Sequence, residues 1–592
     1  MRKALWLLGF GLALLLAACG GQGGTGGGGG NGGGGGNGQT PPAPVAGEVW
    51  RVVFAPHHGV ASGSGRFVVV GESGLILTSQ DGQNWQLANS GTTEHLYGVA
   101  YGANRFVAVG AKGTILISSD GQTWQGVSSG TMYSLYSLHG VVYGGSQFVA
   151  VGLNGLILTS TDGETWERID LGTSPNFTAV TYGSGKFVAV GEYGTIFTSS
   201  NGQTWQRASS GTTQHLYGVA YGGNQFVAVG EFGTILTSPD GQSWQVANSG
   251  STDGLYGVVY GANGFVAVGA GGTILVSSDG QSWQTVGSGT TESLLGITYA
   301  GNQFVAVGKG GILVSSDGQG WRTVMPGTGR WLYSVAYGAN RFVAVGQYGV
   351  ILTSSDGQTW RLVNSGTGAW LNDVTYGGGR FVAVGDGDSI LTSSDGQTWR
   401  LVNSGTGAWL NDVTYGGGRF VAVASDGTIL TSTDGDTWQA VSSGTTEPLT
   451  GVTYGGDQFV AVGWNGTVLT SYDGQTWQVV NSGITSSFYG VAYGANQFVA
   501  VGYGEIFSSP DGQNWQQVGP TLALGLCGVA HGGDRFVVVG DYGTILTSQD
   551  GQNWQRADSG TGTALCGVAY GGNRFVAVGS GGTILVSPPP SN

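Results

Sequence analysis

Charge is scarce in this chain. Only 9% of its 592 residues are Asp, Glu, Lys or Arg, and acids outnumber bases 34 to 20, giving a net charge of −14. No Lys/Arg cluster follows Arg2 and Lys3. The electrostatic footprint that phosphate-backbone binding needs is therefore missing, and nucleic acid is not an expected partner. No stretch repeats its apolar residues at helical spacing, so helices are not expected. The six histidines, His57, His58, His95, His139, His215 and His531, show no metal-ligand spacing. His57-His58 reads as a solvated pair in a short insertion (PHHGVAS). Asp386-Gly387-Asp388 lacks the remaining ligands of a calcium loop. The sequence thus calls for no metal and no cofactor. Long apolar runs are also missing: one spans Leu5 to Leu16, too short to cross a bilayer as a mature helix.

That run follows two basic residues and ends in Leu16-Ala17-Ala18-Cys19, the order of charge, apolar core and small residues found in an export signal. The tetrapeptide resembles the lipobox of bacterial lipoprotein signal peptides, which implies cleavage before Cys19 and lipidation of that residue. In the diderm version of this family an Asp after the Cys retains the protein in the inner membrane. Gly20 stands there instead, which implies display at the outer membrane or cell surface. Two or three acyl chains, at about 0.8 kcal/mol per buried CH₂, would tether the protein to the membrane without spanning it. Residues 1–19 are read as the signal peptide. Residues 20–47, a Gly/Asn tract closed by Thr40-Pro41-Pro42-Ala43-Pro44, are read as a flexible tether with a reach of roughly 30 Å. Cysteine is rare too. Besides Cys19 there are only Cys527 and Cys566, at the same place in adjacent repeats. Export permits a disulfide between them, but equivalent strands can be too far apart for one, so bridge and free thiols both stay open.

What the chain has in excess is glycine, 119 residues. Much of it marks turns in a unit of about 39 residues that recurs from Phe67, Phe106 and Phe148 to Phe575, fourteen times in all. Each unit holds about four short β-type runs, as in LYGVAYG, RFVAVG, TILISS and the segment after QTW. Asp-Gly pairs such as Asp81-Gly82, Asp120-Gly121, Asp162-Gly163 and Asp356-Gly357 separate the third run from a Trp four residues after the Asp. Asp-Gly between strand-forming runs marks a tight turn, so these acids read as turn residues. Phe106-Val107-Ala108-Val109 is apolar at every position, so both faces of that strand must be covered. Four-stranded sheets stacked radially around an axis satisfy this, and the fold class is an all-β propeller of fourteen four-stranded blades.

The Ser-x-Asp-Gly-Gln-Thr-Trp segment is similar to the Asp-box of sialidase-like (BNR) repeat propellers. The whole unit resembles the repeats of BNR proteins and of the related photosystem assembly factors, over roughly residues 48–592. Fourteen blades divide most simply into two seven-bladed rings, 48–326 and 327–592, with a seam where Met325-Pro326 interrupts the linker. An irregularity from Asp511 to Leu526 offers a second seam. Gly47-Glu48-Val49-Trp50-Arg51 matches Gly357-Gln358-Thr359-Trp360-Arg361 in spacing. It can supply the fourth strand that the last blade lacks, and a single large ring then becomes an alternative. The rival reading makes Trp50–Ala55 the first strand of the first blade. Residues 351–384 recur identically at 390–423, a tandem copy that a repeat scaffold tolerates.

Units differ mainly in the pair after FVAVG and in the residues before the LYG strand, two loops that share one face in a propeller. That face is the candidate surface. From the first loop it carries Tyr193, Phe232, Tyr348, Trp464, Tyr503 and Tyr542, and from the second Trp331, Trp370 and Trp409, with Glu72, Glu192, Glu231 and Asp541 among them. Exposed aromatics beside a few polar groups suit sugar stacking or protein hot spots. Sialidase chemistry would need converging arginines and a Tyr/Glu pair. Most arginines instead recur at fixed places, before Phe (Arg66, Arg105, Arg341) or after Trp (Arg361, Arg400). Asp373 and Asp412 occupy equivalent positions and could meet as a glycosidase-type carboxylate pair. The favoured function is non-catalytic recognition of a protein or envelope polysaccharide by a lipid-anchored scaffold. The alternatives are a sialidase-like glycoside hydrolase and a membrane-complex assembly factor like those of the photosystem.

Overall fold

The computed structural model describes residues 50–130, 136–262, 264–327 and 329–587. The signal segment, Cys19 and the tract 20–47 lie outside the described residues. The described residues form fourteen four-stranded antiparallel sheets; thirteen follow the sequence from inner to outer strand, and the last takes its outer strand from the N-terminal end of the described chain. The second is typical: Leu96–Gly102, Arg105–Gly110, Ile115–Ser118 and Gln125–Val127.

The apolar second strand explains the stacking. By the pleat, Phe106 and Ala108 face back to Val68 and Val70 of blade 1, while Val107 and Val109 face forward to Phe148 and Ala150 of blade 3. All of these side chains are buried. Glycine at the end of the inner strand is required by this close packing: a Cβ on Gly102 would sit 2.0 Å from the ring of Tyr143 in the next blade.

Two compact units result. One comprises Ala55–Gly329 and holds blades 1–7; the other comprises Arg330 onward together with the strand Arg51–Phe54 and holds blades 8–14. Each closes on itself. Gln303 of blade 7 donates to Asp81 O of blade 1 at 2.8 Å, the bond that Gln225 of blade 5 makes to Asp279 O of blade 6 at 2.7 Å. In the second unit a Cβ on Gly571 of blade 14 would meet the ring of Tyr337 in blade 8 at 2.0 Å, the fit seen between Gly102 and Tyr143.

The strand Arg51–Phe54 pairs with Ile584–Val586 and completes blade 14. Trp50 packs on Phe575 at 6.4 Å, as Trp124 packs on Phe106 at 6.3 Å. Of the two sequence readings of this segment, the missing-strand reading is the one the structure adopts. The N-terminal strand thereby joins the second unit rather than a first propeller beginning at residue 48. The division falls at Gly329, three residues beyond Pro326, where the fourth strand of blade 7, Arg322–Pro326, ends. His57 and His58 are not in an insertion: they begin the inner strand His57–Gly63 of blade 1. His57 is buried where other blades have Leu, with Nδ1 3.3 Å from Gly308 O, and burial lowers its pKa to about 4.

Candidate binding faces

The Asp-Gly turns lie at one end of the blades and are structural. Asp120 Oδ1 accepts from the backbone N–H groups of Gln122 and Thr123, each at 2.8 Å, and from the Ser118 hydroxyl at 3.0 Å. These donors hold its carboxyl below the usual range. Trp124 Nε1 donates to Gly121 O at 3.1 Å. Asn201 makes the same bonds through its amide oxygen.

The two variable loops meet at the opposite end. The residue after FVAVG donates its N–H to the carbonyl preceding the inner strand: Ala111 to His95 (2.8 Å), Glu231 to His215 (2.9 Å), Gln347 to Trp331 (3.0 Å) and Asp541 to Gly525 (2.9 Å). The next residue sits at the centre of a tight turn in the left-handed region. It is Asn154 or Asn465 in some blades (φ 57° and 53°), a sensible choice for that geometry. In four others it is an aromatic: Tyr193 (φ 55°), Phe232 (φ 51°), Tyr348 (φ 54°) and Tyr542 (φ 54°). Left-handed backbone costs about 1–2 kcal/mol for a residue with a Cβ. These four side chains gain no burial in return, being 56–71% exposed. Tyr503, also projecting at 58% exposure, has ordinary backbone.

The tryptophans behave differently. Trp331, Trp370, Trp409 and Trp464 are half-buried. Trp370 packs on Tyr348 edge-on at 5.9 Å and on Tyr333 at 6.3 Å, and Trp331 lies 6.5 Å from Tyr333. Arg330 sits over the Tyr348 ring at 5.1 Å. Trp331 and Trp370 thus fold back as loop packing against Tyr333, with Trp370 also under the projecting Tyr348. Glu192 and Glu231 are engaged as well: Glu192 accepts from Asn176 Nδ2 at 2.9 Å, and Glu231 accepts from the Tyr217 hydroxyl at 3.1 Å and the His215 N–H at 3.2 Å.

Tyr217–Glu231 is a Tyr/Glu pair of the composition sialidase chemistry uses, which sequence spacing did not reveal because Tyr217 lies on the inner strand and Glu231 in the turn that follows the second strand. The arginines preceding Phe stand at the wrong end for it. Arg105 pairs with Gly102 at the turn end of the strands, whereas the Tyr end pairs Leu96 with Gly110. Burial and the Glu231 contact push the Tyr217 phenol up to about 12, away from an activated nucleophile.

Asp373 and Asp412 do meet. They lie on neighbouring inner strands, where Val413 N donates to both Asp373 Oδ2 at 2.9 Å and Asp412 Oδ1 at 2.7 Å, while Asp412 Oδ2 accepts from Val452 N at 2.7 Å. Oxygens that share one N–H donor sit closer than the roughly 5–5.5 Å of a retaining glycosidase pair. Burial raises both carboxyls above the ordinary carboxylate range, and the Asp412 charge raises Asp373 further. Most other blades have Gly here, as at Gly98, where a Cβ would come within 2.9 Å of His139 O. The pair is an inter-blade latch. Asp386 and Asp388 are similarly used, by Asn372 Nδ2 (3.2 Å) and by the Gly405 N–H (3.1 Å). Cys566 is a free thiol, so the bridge to Cys527 is not made; burial and the Asp541 charge push that thiol up to about 12. Among the described residues no cluster of three or more His, Cys, Asp or Glu could hold a metal ion, and no helix is long and apolar enough to cross a membrane.

Residues 77–352, just under half the chain, match the model of the family described as photosynthesis system II assembly factor YCF48. No curated protein matches the chain. Among solved structures, the GH74 enzyme of Niastella koreensis is similar at 15% identity and a TM-score of 0.57, covering 91% of this chain and 99% of its own. An ancestral GH74 enzyme is similar at 13% identity and a TM-score of 0.60, covering 92% and 99%. A YCF48 bound to D1 peptide, at 21% identity, covers 44% of this chain and 94% of its own with a TM-score of 0.38. By repeat and fold, the chain is a repeat β-propeller protein, similar over residues 77–352 to the family described as photosynthesis system II assembly factor YCF48.

Proposed function

We propose that this protein is a lipid-anchored recognition scaffold, without catalysis of its own, that binds a protein or an envelope polysaccharide at the bacterial cell surface. The observation carrying this reading is the set of exposed aromatics on left-handed backbone. Tyr193, Phe232, Tyr348 and Tyr542 occupy positions that Asn or Gly would fill with less strain, and they pack little of their surface. Side chains kept at a stability cost and left in solvent are what a binding face requires. The anchor rests on the Leu16-Ala17-Ala18-Cys19 sequence; a Cys19→Ala chain should leave the membrane fraction for the soluble one.

The test of binding uses the full chain and a variant with all four aromatics changed to Asn, the residue that blades 3 and 11 already carry there. Capture of an envelope component by the native chain, lost in the variant with folding intact, supports the reading. Equal capture by both sinks it. A second reading, an assembly factor for a membrane complex, is favoured by the match over residues 77–352, and would show as capture of one membrane protein complex and of no glycan. The sialidase-like reading draws on the Tyr217–Glu231 pair alone. Hydrolysis of a fluorogenic sialoside, abolished by Tyr217→Phe, would revive it.

A further inference from the structure

The second residue of each inner strand lies at the mouth of the blade ring, beside the variable loops. In the unit Ala55–Gly329 three of these positions form one arc: His58, Tyr97 and His139. Their rings meet edge to face across adjacent blades, His58 to Tyr97 at 5.4 Å and Tyr97 to His139 at 5.1 Å. His95 stacks on Tyr97 at 6.4 Å. A second arc runs from the projecting Tyr193 to His215 (4.6 Å), Tyr217 (6.4 Å) and Tyr256 (5.5 Å). His58, Tyr97, His139, Tyr217 and Tyr256 are all half-buried, so part of each ring stays in solvent.

The chemistry of this mouth is polar but poor in positive charge. Crowding by protein lowers the His58 imidazole to about 4 and lowers His139 as well, so both are neutral at pH 7 and each offers one N–H donor and one acceptor. Burial raises the Tyr97 phenol and, with Glu231, the Tyr217 phenol, so both stay protonated. Carboxylates stand behind the rings: Glu72 lies 3.8 Å from His58, and Glu231 accepts from Tyr217. Lys112 is neutralised by Glu94 at 2.8 Å, leaving Lys309, whose charge acts on His58 and Glu72. A shared metal is ruled out by geometry, because the Tyr97 ring stands between His58 and His139. An apolar peptide side chain would strand these polar edges, and an anionic ligand would meet Glu72 and Glu231 in a chain of net charge −14. Flat rings interleaved with uncharged donors and acceptors match a ring of hydroxyls with apolar C–H faces.

We propose that the mouth of the Ala55–Gly329 unit binds an uncharged saccharide chain, stacking sugar rings on Tyr97, Tyr217 and Tyr256 and hydrogen-bonding them through His58 and His139. This rests on the recognition reading above and names its ligand class and site. Blade 7 supplies the control residue, since it carries Leu295 at the equivalent position and folds normally.

The experiment titrates the full chain with three hexasaccharides, of β-glucose, of β-N-acetylglucosamine and of galacturonate, beside a Tyr97→Leu/Tyr217→Leu variant. Melting temperature checks the fold, and Tyr256→Leu serves as an independent variant should the double one unfold. The expected result is saturable binding of at least one uncharged hexasaccharide, at least tenfold tighter than the galacturonate one, and weakened at least tenfold by the folded variant. No binding of either uncharged probe overturns the proposal, as does a preference for galacturonate or a variant that binds as well as the native chain. The two readings fail separately. Envelope capture that survives Tyr97→Leu/Tyr217→Leu but is lost with the four Asn changes overturns the saccharide site and leaves the scaffold standing.

Discussion

One backbone position is used in two ways, and the two units differ in which way prevails. At the second residue of the inner strand, the unit Ala55–Gly329 presents His58, Tyr97, His139, Tyr217 and Tyr256 as rings, and only Thr178 is spent on the next strand, its Oγ1 donating to Leu216 O at 2.6 Å. The unit from Arg330 keeps rings at Tyr333 and Tyr489, but three successive blades put short amides and a hydroxyl there and spend them on the next strand. Asn372 Nδ2 donates to Leu410 O at 2.8 Å, Asn411 Nδ2 to Leu449 O at 2.7 Å, and Thr450 Oγ1 to Phe488 O at 2.7 Å. One position further, Ser334, Asp373 and Asp412 reach toward the neighbouring strand, where the first unit has mostly Gly. The same fold thus yields a mostly polar-aromatic row in one unit and a run of three stapled blades in the other. A repeat can trade ligand-facing chemistry for inter-blade bonding without altering its strands.

The largest expected effect separates the units through their closures. Trp50 is buried on Phe575, and its N–H donates to Asp558 O at 2.8 Å. Trp50→Ala should cost about 3–5 kcal/mol, lowering the melting transition of the Arg330-onward unit and not that of Ala55–Gly329. A calorimetric trace in which both transitions fall together would break the comparison. Next, Asn411→Leu strands the Leu449 carbonyl and should cost about 1–3 kcal/mol by denaturant titration. Tyr97→Leu, at the same position in the other unit, is expected to cost clearly less; equal losses would mean the staples are not special.

The latch gives the comparison a pH signature. The folded state raises the Asp373–Asp412 pair above the unfolded value near pH 4. Its contribution is therefore complete below about pH 4 and is lost as pH rises through the folded value. The Arg330-onward unit should lose stability relative to its neighbour as pH rises above about 4. Asp373→Asn keeps a hydrogen bond without the charge and should reduce that slope to the part contributed by Asp386 and Asp541, which burial also raises, stabilising the unit at pH 7.5 by on the order of 1 kcal/mol. An unchanged slope would assign it to those groups instead. The smallest effect is common to both units. The Asp-turn carboxyls are lowered, to about 2 at Asp162, Asp434 and Asp473, by backbone donors. Their contribution is present above pH 4 and is lost as pH falls toward 2. Acid unfolding followed by tryptophan fluorescence should therefore affect the two units alike.

The fold was legible because it is written fourteen times. Phe106-Val107-Ala108-Val109 demanded cover on both faces, and the Asp-Gly turns fixed where strands reverse. The spacing of Gly47 to Arg51 offered the closing strand, though as one of two readings. The site was only half legible. Tyr193, Phe232, Tyr348, Tyr503 and Tyr542 stood out by varying within a constant repeat, and they do project. Trp331, Trp370, Trp409 and Trp464 varied as much yet are half-buried, since a large indole can bury itself where a residue on a left-handed turn cannot. The His58–Tyr97–His139 arc escaped notice because its members are one blade apart in sequence. His57-His58 also breaks the Leu-Tyr pattern that would have placed it on an inner strand. Aligning the second residue of every inner strand was the signal that could have found the arc.

The central claim is that projecting aromatics are kept for binding at the expense of stability. The most direct measurement pairs the melting temperature with the envelope capture of a Tyr193→Asn/Phe232→Asn chain. Relief of two left-handed aromatics should raise the stability of the Ala55–Gly329 unit by about 1–2 kcal/mol in total, while capture by that unit falls. A variant that melts lower, or that captures as well as the native chain, would contradict the account.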